Sequence, residues 1–173
     1  MAVPKTALPA TPVLLNAGSV ELAGDVRLPD RPRGLVVFAH GSGSSRHSSR
    51  NVFVAEALGA HGFGTLLMDL LTRDEEFVDQ RTAHLRFDVG LLGSRVAHVI
   101  DWLDMNDLRS LPIGLFGAST GAAAMSRAEV AIEIVPGATH LFEEPGALDQ
   151  VARHAADWFD RHLPVPAARP GTH

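Results

Sequence analysis

Short, continuous apolar runs alternate along the chain with segments of mixed character. Three such runs, Leu35 to His40, Thr65 to Met68 and Ile113 to Phe116, are too short to form helices. Strands that are buried on both faces have this continuous apolar pattern. A fourth run of the same kind extends from Val130 to Val135. The pattern therefore predicts four buried strands.

Between these runs the apolar residues recur at three- and four-residue spacing, which is typical of helices that pack by one face. The helices are marked by Val54 and Leu58, by Leu92, Val96, Val99, Ile100 and Leu103, and by Leu148, Val151, Ala152, Ala155 and Phe159. Strands that alternate with helices form βα units. We therefore expect an α/β fold with a mostly parallel, open sheet flanked by helices.

The two ends of the chain depart from this pattern. Apolar and polar positions alternate around Ala23 and Gly24, the apolar ones being Val20, Leu22, Val26 and Leu28. This period of two predicts an N-terminal antiparallel hairpin whose turn uses the backbone freedom of the glycine. Residues 164–173 hold three prolines and little to bury. We expect them to be a mobile tail after a single domain over residues 1–163.

Composition narrows the range of functions. The 15 Lys and Arg residues against 20 Asp and Glu give a net charge of −5 without a basic block, which argues against nucleic acid or an acidic membrane surface as partner. Cysteine is absent, so a disulfide framework, a thiolate metal site and a cysteine nucleophile are excluded. No HExxH spacing occurs, and we expect no metal. No apolar stretch is long enough for a signal sequence or a membrane span, which predicts a cytoplasmic protein.

A serine between two glycines follows the third predicted strand. Gly117, Ser119 and Gly121 form a G-x-S-x-G motif, and a helix-forming run over residues 122–125 comes next. This is the strand-turn-helix setting of a nucleophile elbow, where a side chain at either glycine would collide with neighbouring backbone. The motif predicts Ser119 as a nucleophile. The alternative is a Gly/Ala-rich turn that lets a helix pack closely on the sheet.

A glycine-rich loop, His40 to Gly43, follows the first buried strand. Ligands of open α/β sheets bind outside the carboxyl ends of the strands, so this loop and the elbow fall at the expected site. Glycines let backbone N–H groups face the site, and the N–H of Thr120 at the start of a helix is a second donor for developing negative charge. The alternative is a flexible turn before a helix. The next part of the loop carries Arg46 and Arg50. These side chains either bind an anionic group of a substrate or are solvated, and we favour the second alternative.

His140 lies in the loop VPGATHLFEEPG after the fourth predicted strand. Only His40 and His140, of nine histidines, follow strands near the presumed site. A histidine at a neighbouring strand end can act as general base toward the serine. The alternative is a solvated loop histidine.

Five segments together resemble the α/β-hydrolase superfamily, and within it a dienelactone-hydrolase-like branch. They are FAHGSGSSRHSSRN, TLLMDLLT, HLRFDVGLL, GLFGASTGAAA and IVPGATHLFEEPGAL, spread over most of residues 15–163. The resemblance implies a shortened three-layer α/β-hydrolase sandwich. It implies Ser119 as nucleophile, His140 as base, and an oxyanion hole from the backbone N–H groups of Ser42 and Thr120. It further implies a small ester or lactone as substrate and no cofactor.

One part of the family pattern is missing from this chain. The family order is Ser, then Asp or Glu, then His, but only twenty residues separate Ser119 from His140, and none of them replaces the acid. Asp69 at a strand end, or Glu143 or Glu144 beside the histidine, are candidate substitutes, although each also has a structural explanation. Without an orienting acid, activity about 10⁴-fold below that of a complete triad is expected.

Three functions remain in competition. The leading hypothesis is a serine hydrolase for a small ester or lactone, and the second is a non-catalytic α/β module, either a degraded hydrolase or a partner in a larger assembly. The third is a phosphate or nucleotide binder that uses the HGSGSS loop, although neither GxxxxGK[ST] nor GxGxxG occurs. The shortened sheet would also leave Val130, Ile132 and Ile134 on an apolar edge, which predicts a homodimer.

Overall fold

The computed structural model describes residues 7–41, 43–106, 108, 110–117, 119–123 and 135–163. The strands are β1 (Thr11–Asn16), β2 (Glu21–Arg27), β3 (Leu35–Ala39), β4 (Gly64–Met68) and β5 (Ile113–Gly117). The helices are α1 (Ser49–Ala60), α2 (Arg73–Thr82), α3 (Val89–Asp104), α4 (Thr120–Ala123) and α5 (Ala147–His162), with a 3₁₀ turn at Leu85–Phe87. From β3 onwards strands and helices alternate, as the hydrophobic pattern predicts.

The five strands form one open, mixed sheet in the order β1-β2-β4-β3-β5. β3 pairs in parallel with β4 and β5, whereas β2 pairs antiparallel with β1 and β4. Ala39 at the end of β3 lies opposite Met68 of β4 and Gly117 of β5. The segments that follow these three strands therefore share one edge of the sheet, which is where α/β folds bind ligands.

Helices cover both faces of the sheet and complete three layers. Leu35, Val37 and Ala39 of β3 pack in one core with α3, while Val36 and Phe38 pack in a second core with α1 and α5. Burial on both faces explains why β3 reads as an uninterrupted apolar run. The α/β-hydrolase-like sandwich expected from the sequence is confirmed.

The N-terminal hairpin is present, but its turn is not at Ala23 and Gly24. Both residues lie inside β2, and the chain reverses over residues 17–20, where Gly18 has a φ of +84°. Gly24 lacks a side chain for a packing reason, because a Cβ there would lie 2.8 Å from the Leu15 side chain. The alternating pattern correctly indicates a strand pair, but the role predicted for this glycine is wrong.

Helix α2 was not predicted from the apolar spacing. Phe77 and Val78 on this helix are exposed, so no apolar stripe marks it. Its start is instead fixed by a capping box: the Thr72 hydroxyl accepts from the Glu75 N–H (3.3 Å), and the Glu75 carboxylate accepts from the Thr72 N–H (2.8 Å).

Several predicted features fall outside the described residues. They are Ser42, residues 124 and 125 of the predicted elbow helix, residues 130–134 of the fourth predicted strand, and the tail over residues 164–173. Val135, the last residue of that predicted strand, is buried and precedes a turn. No helix in the described ranges is long and apolar enough to cross a membrane.

Candidate active site

Ser119 stands on a sharp turn between β5 and α4. Its φ is +56°, the left-handed region that side chains other than glycine rarely adopt, and the residue is exposed. The Ser119 carbonyl accepts from the Ala122 N–H at 3.1 Å, so the turn leads directly into the helix. An exposed serine with a strained backbone at a strand-to-helix turn is the local feature that a nucleophile elbow requires.

Gly121 fixes the elbow against the neighbouring strand. A Cβ on Gly121 would lie 2.1 Å from the carbonyl oxygen of Ala39 and 2.6 Å from that of His40. No side chain fits in that space, so the second glycine of the motif is required by contact with backbone. The contact also places the elbow directly against the start of the loop that follows β3.

The loop after β3 is ordered around His40. The His40 Nδ1 donates to the Gly41 carbonyl at 2.9 Å, and its Nε2 accepts from the Leu70 N–H at 3.3 Å. With both ring nitrogens occupied, His40 holds the loop to the end of β4. Gly43 has a φ of +72°, which accounts for a glycine there.

Arg46 and Asp69 form a second set of hydrogen bonds between this loop and the end of β4. The Asp69 carboxylate accepts from the Arg46 backbone N–H (2.8 Å) and from its guanidinium. The Arg46 Nε also lies 3.4 Å from the carboxylate of Asp25. Arg46 is therefore not the solvated side chain that we favour from the sequence. Asp69, a candidate triad acid, is committed to Arg46.

The loop that carries His140 is built from successive tight turns. The Phe142 N–H donates to the Thr139 carbonyl at 3.1 Å, and Phe142 has a φ of +52°. The Glu144 carboxylate accepts from the Thr139 N–H at 2.8 Å. Hydrogen bonds from the backbone N–H groups of Glu144 itself and of Thr139 lower the pKa of Glu144, although burial opposes them. Glu144 thus stabilises the loop as a carboxylate.

The structure brings some of the predicted site residues together and leaves others apart. The elbow contact of Gly121 brings the turn of Ser119 and Thr120 against Ala39 and His40, where the loop after β3 begins, while Ser42 lies outside the described residues. His140 is exposed in its loop, and no hydrogen bond between described atoms joins it to Ser119. Within the described ranges, no group of three His, Asp or Glu side chains is placed to hold a metal ion.

A cavity of about 270 Å³ opens beside the loop after β3. It is lined by His40, Gly41, Gly43, Ser44, Asp69, Leu70, Leu71, Glu76, Asp79, Gln80, Arg86 and Leu92. Its far wall is formed by α2 and the 3₁₀ turn, where Arg86 forms an ion pair with the buried Asp79. Burial raises the pKa of Asp79, but hydrogen bonds from Arg86 and from the Leu85 N–H outweigh it and lower the pKa overall.

Asp79, Glu76 and Arg86 line this cavity but were not predicted as site residues from the sequence. Arg86 belongs to the segment HLRFDVGLL, which contributes to the family resemblance but received no role. The T-x-x-E pattern at Thr72 was the one available signal for the helix that carries the two acids.

The sheet order and its flanking helices define an α/β-hydrolase fold. A dienelactone hydrolase structure from Anabaena variabilis is 38% identical, covers 91% of this chain and 99% of its own, and superposes with a TM-score of 0.84. The chain therefore belongs to the dienelactone-hydrolase branch of the α/β-hydrolase superfamily. An α/β serine hydrolase from Xanthomonas campestris shares the fold at 20% identity, with 66% of this chain and 53% of that chain covered and a TM-score of 0.54.

Two curated proteins of Mycobacterium tuberculosis, from strains CDC 1551 and H37Rv, are 42% identical to this chain over an alignment of 211 positions, gaps included, that covers 89% of this chain and 47% of each relative. Both are named "Putative phosphoribosyl transferase". The chain spans about half the length of the curated relatives it matches. The 211 aligned positions exceed the 173 residues of this chain, so the relatives have residues without a counterpart here. No family model matches the sequence.

Proposed function

We propose that this protein is a serine hydrolase that acts on a small carboxylic ester or lactone, with Ser119 as nucleophile and His140 as base. The observation that carries the proposal is the left-handed backbone of Ser119, with a φ of +56°, at the junction of β5 and α4. A strained residue persists only where its surroundings impose it, and such strain is concentrated at functional sites. Membership of the dienelactone-hydrolase branch supports the same reading.

The proposed reaction begins with attack of the Ser119 Oγ on the ester carbonyl carbon. His140 accepts the hydroxyl proton, and the carbonyl oxygen becomes an oxyanion facing the backbone N–H groups of Ser42 and Thr120. The carbon–oxygen bond to the alcohol breaks, and the imidazolium returns the proton to the leaving oxygen. Water then attacks the acyl-enzyme with His140 as base again, which releases the acid and restores Ser119.

Because the triad acid is missing, we expect a low rate of hydrolysis at this site. Asp69 binds Arg46 and Glu144 binds the Thr139 N–H, so neither carboxylate orients His140 among the described contacts. An exposed, unoriented histidine still accepts a proton, but with a large loss of rate. We therefore propose weak hydrolysis that favours activated esters.

A fluorophosphonate probe tests the nucleophile directly, because it forms a covalent bond with an activated serine oxygen. We expect the wild type to be labelled and Ser119→Ala to remain unlabelled. Ser49→Ala, which removes an exposed serine at the start of α1, is the matched control and should label like the wild type. Equal labelling of the wild type and Ser119→Ala would refute the proposal.

A non-catalytic α/β module is the second candidate. The absence of a hydrogen bond between Ser119 and His140 in the described part of the chain favours it, as does the commitment of Asp69 to Arg46. This function predicts no probe labelling of any variant and an unchanged free energy of unfolding on His140→Ala. The same labelling experiment therefore separates the two candidates.

A further inference from the structure

Among the described residues, one edge of the Arg86 guanidinium has no hydrogen-bond partner, and it lies in the cavity beside the loop after β3. Its Nε donates to the Asp79 carboxylate at 2.6 Å, and its Nη2 donates to the Asp79 carbonyl at 2.8 Å. These two bonds occupy one edge of the planar guanidinium. The outer edge, formed by Nη1 and the second N–H of Nη2, has no hydrogen-bond partner among the described residues.

Asp79 holds this guanidinium in place before any ligand arrives. The Asp79 side chain is only 3% exposed. Its Oδ1 accepts from the backbone N–H groups of Leu85 (2.7 Å) and Arg86 (3.2 Å). A donor that is fixed in advance loses little conformational freedom on binding, which favours affinity.

The free edge of Arg86 is directed toward the loop after β3. A Cβ built on Gly43 would lie 3.8 Å from the Arg86 Nη1. Both residues line the cavity of about 270 Å³, together with His40 and Gly41 of the same loop. A group bound by Arg86 would therefore lie beside the loop that carries the proposed oxyanion donor. The volume is close to the lower limit of about 300 Å³ for ligand pockets, so the group must be small.

The charges around the cavity select the chemical class of that group. Asp79 neutralises Arg86, and Asp69 is neutralised by Arg46. Glu76 lines the cavity as an exposed acid without an ion pair among the described residues. The unpaired charge is negative, so a carboxylate entering the cavity would be repelled, while an uncharged oxygen acceptor would not.

Building on the serine hydrolase function proposed above, we infer that Arg86 and its cavity bind the uncharged, oxygen-bearing acyl part of the ester. Such a group is an ether, hydroxyl or lactone oxygen near the scissile carbonyl. The guanidinium donates hydrogen bonds to that oxygen, and Glu76 discriminates against acyl groups that carry a carboxylate. Arg86 is thus a specificity residue for the reaction.

Three p-nitrophenyl esters test this inference: the butyrate, the methoxyacetate, in which oxygen replaces one methylene, and the hemisuccinate, which carries a carboxylate. The quantity of interest is the ratio of kcat/KM for methoxyacetate to that for butyrate. We expect Arg86→Met to lower this ratio about ten-fold, the effect of one hydrogen bond to a charged donor. Because the same two esters are used for every variant, the difference in their intrinsic reactivity cancels when the ratios of the variants are compared.

Arg81→Met, which removes an exposed arginine lying over the Phe77 ring, is the matched control and should keep the wild-type ratio.

Two further variants test the roles of Arg86 and Glu76 independently. If Arg86→Met does not fold, Arg86→Lys keeps the charge but loses the planar fork, and it too should lower the ratio. Glu76→Gln should raise kcat/KM for the hemisuccinate, with an effect that shrinks at high salt. An equal ratio in the wild type and both Arg86 variants would overturn the inference, as would a wild-type preference for the hemisuccinate.

A binding measurement separates failure of this inference from failure of the proposed function. Saturation-transfer NMR of Ser119→Ala with an equimolar mixture of methyl methoxyacetate and methyl butyrate should favour the methoxyacetate. The preference should disappear when Arg86→Lys is added. This preference without turnover by the wild type would refute the hydrolase and keep the binding site. Turnover without any preference would refute the binding site and keep the hydrolase.

Discussion

Ser119 carries a conformational cost that only its surroundings can impose. A left-handed backbone costs an L-residue about 1–2 kcal/mol, whereas glycine adopts it freely. Two of the three described non-glycine residues with positive φ, Ser119 and Phe142, lie in the elbow and in the loop of the proposed base. The third, Ala83, ends helix α2. Strain is therefore concentrated where the proposed chemistry takes place.

This strain predicts an unusual order of stability among variants of the serine. With a φ of +56° at position 119, Ser119→Gly should exceed Ser119→Ala in free energy of unfolding by about 1 kcal/mol, because only glycine relieves the strain. Urea melts of the two variants measure the difference. Ser49→Ala and Ser49→Gly in helix α1 are the control pair and should show the opposite order, since glycine weakens helices. An alanine variant at 119 as stable as the glycine variant would contradict the elbow geometry.

Single residues differ in how far the sequence reveals their role. The positions of Gly117, Ser119 and Gly121 predict a tight turn, because the steric requirement is local and the motif records it. The roles of Arg46 and Arg86 are not predictable in this way. Arg46 pairs with a carboxylate 23 positions away, and a charged residue in a polar loop has the same appearance whether it is paired or solvated.

At the level of elements, the loop after β3 depends on β4 for its shape. Asp69 at the end of β4 binds both the backbone and the side chain of Arg46. The backbone N–H proposed for the oxyanion hole lies in this loop, so Asp69 is a positioning residue for the proposed reaction.

Removing the charge of Asp69 tests whether it positions the loop or completes a triad. Asp69→Asn keeps an acceptor for the Arg46 N–H, so we expect kcat for a p-nitrophenyl ester to fall by no more than about 10²-fold, the scale of one oxyanion donor. Steady-state kinetics provide the measurement, and Asp74→Asn, on the exposed start of α2, is the control. A fall of about 10⁴-fold would instead identify Asp69 as the working acid.

Helix α3 holds the wall of the cavity through one buried arginine. Arg95 donates to the Leu70 carbonyl at 2.8 Å and to the Glu75 carboxylate at 2.5 Å. The hydrogen bond from Arg95 lowers the pKa of Glu75 from 4.5, against the effect of burial. A carboxyl with a lowered pKa stabilises the fold above its unfolded pKa, and this contribution disappears as pH falls through the folded pKa.

Arg95→Met should therefore have a pH-dependent effect on stability. At pH 7 we expect the free energy of unfolding to fall by about 1–3 kcal/mol, the cost of leaving buried polar groups unpaired. The difference from the wild type should narrow as pH drops below the usual Glu value of 4.5. Denaturant melts from pH 7 to pH 3 measure this trend. Arg153→Met, on the exposed face of α5, should show no such trend, and a constant difference for Arg95→Met would contradict the coupling.

Elements were predictable where their pattern is apolar. The runs at β3, β4 and β5 and the periodic residues of α1, α3 and α5 correspond to elements of the structure, because core packing selects their residues directly. Helix α2 is not predictable from apolar spacing, because it packs with little apolar surface and is stabilised by its N-terminal cap. The turn of the N-terminal hairpin is wrongly predicted at Gly24. In a sequence, a glycine that serves a turn cannot be told from one that makes room for a neighbouring side chain, as Gly24 does for Leu15.

The whole molecule is a shortened member of its family. Its alignment to the curated relatives is longer than the chain itself, so those relatives have residues that this chain lacks. The resemblance to the family predicts that the missing residues fall between Ser119 and His140 and include further strands and the acid. The sheet over the described residues ends at β5, which pairs with β3 on one side. Ile113 and Leu115 on this strand are only half-buried.

An apolar strand at a sheet edge is a template for another chain, because its backbone N–H and C=O groups lack partners on one side. We therefore predict that the protein forms a dimer at micromolar concentration, by pairing or exchanging strands at the sheet edge beyond β5, where the sequence predicts the apolar strand with Val130, Ile132 and Ile134. Light scattering should give a mass of about twice 18.4 kDa. Ile132→Lys, which places a charge on the predicted edge strand, should shift the mass toward the monomer. Leu14→Lys, on the exposed face of β1 at the opposite edge, is the control and should stay dimeric. A monomeric mass for the wild type across the micromolar range, with reversible unfolding, would show that the shortened sheet needs no partner.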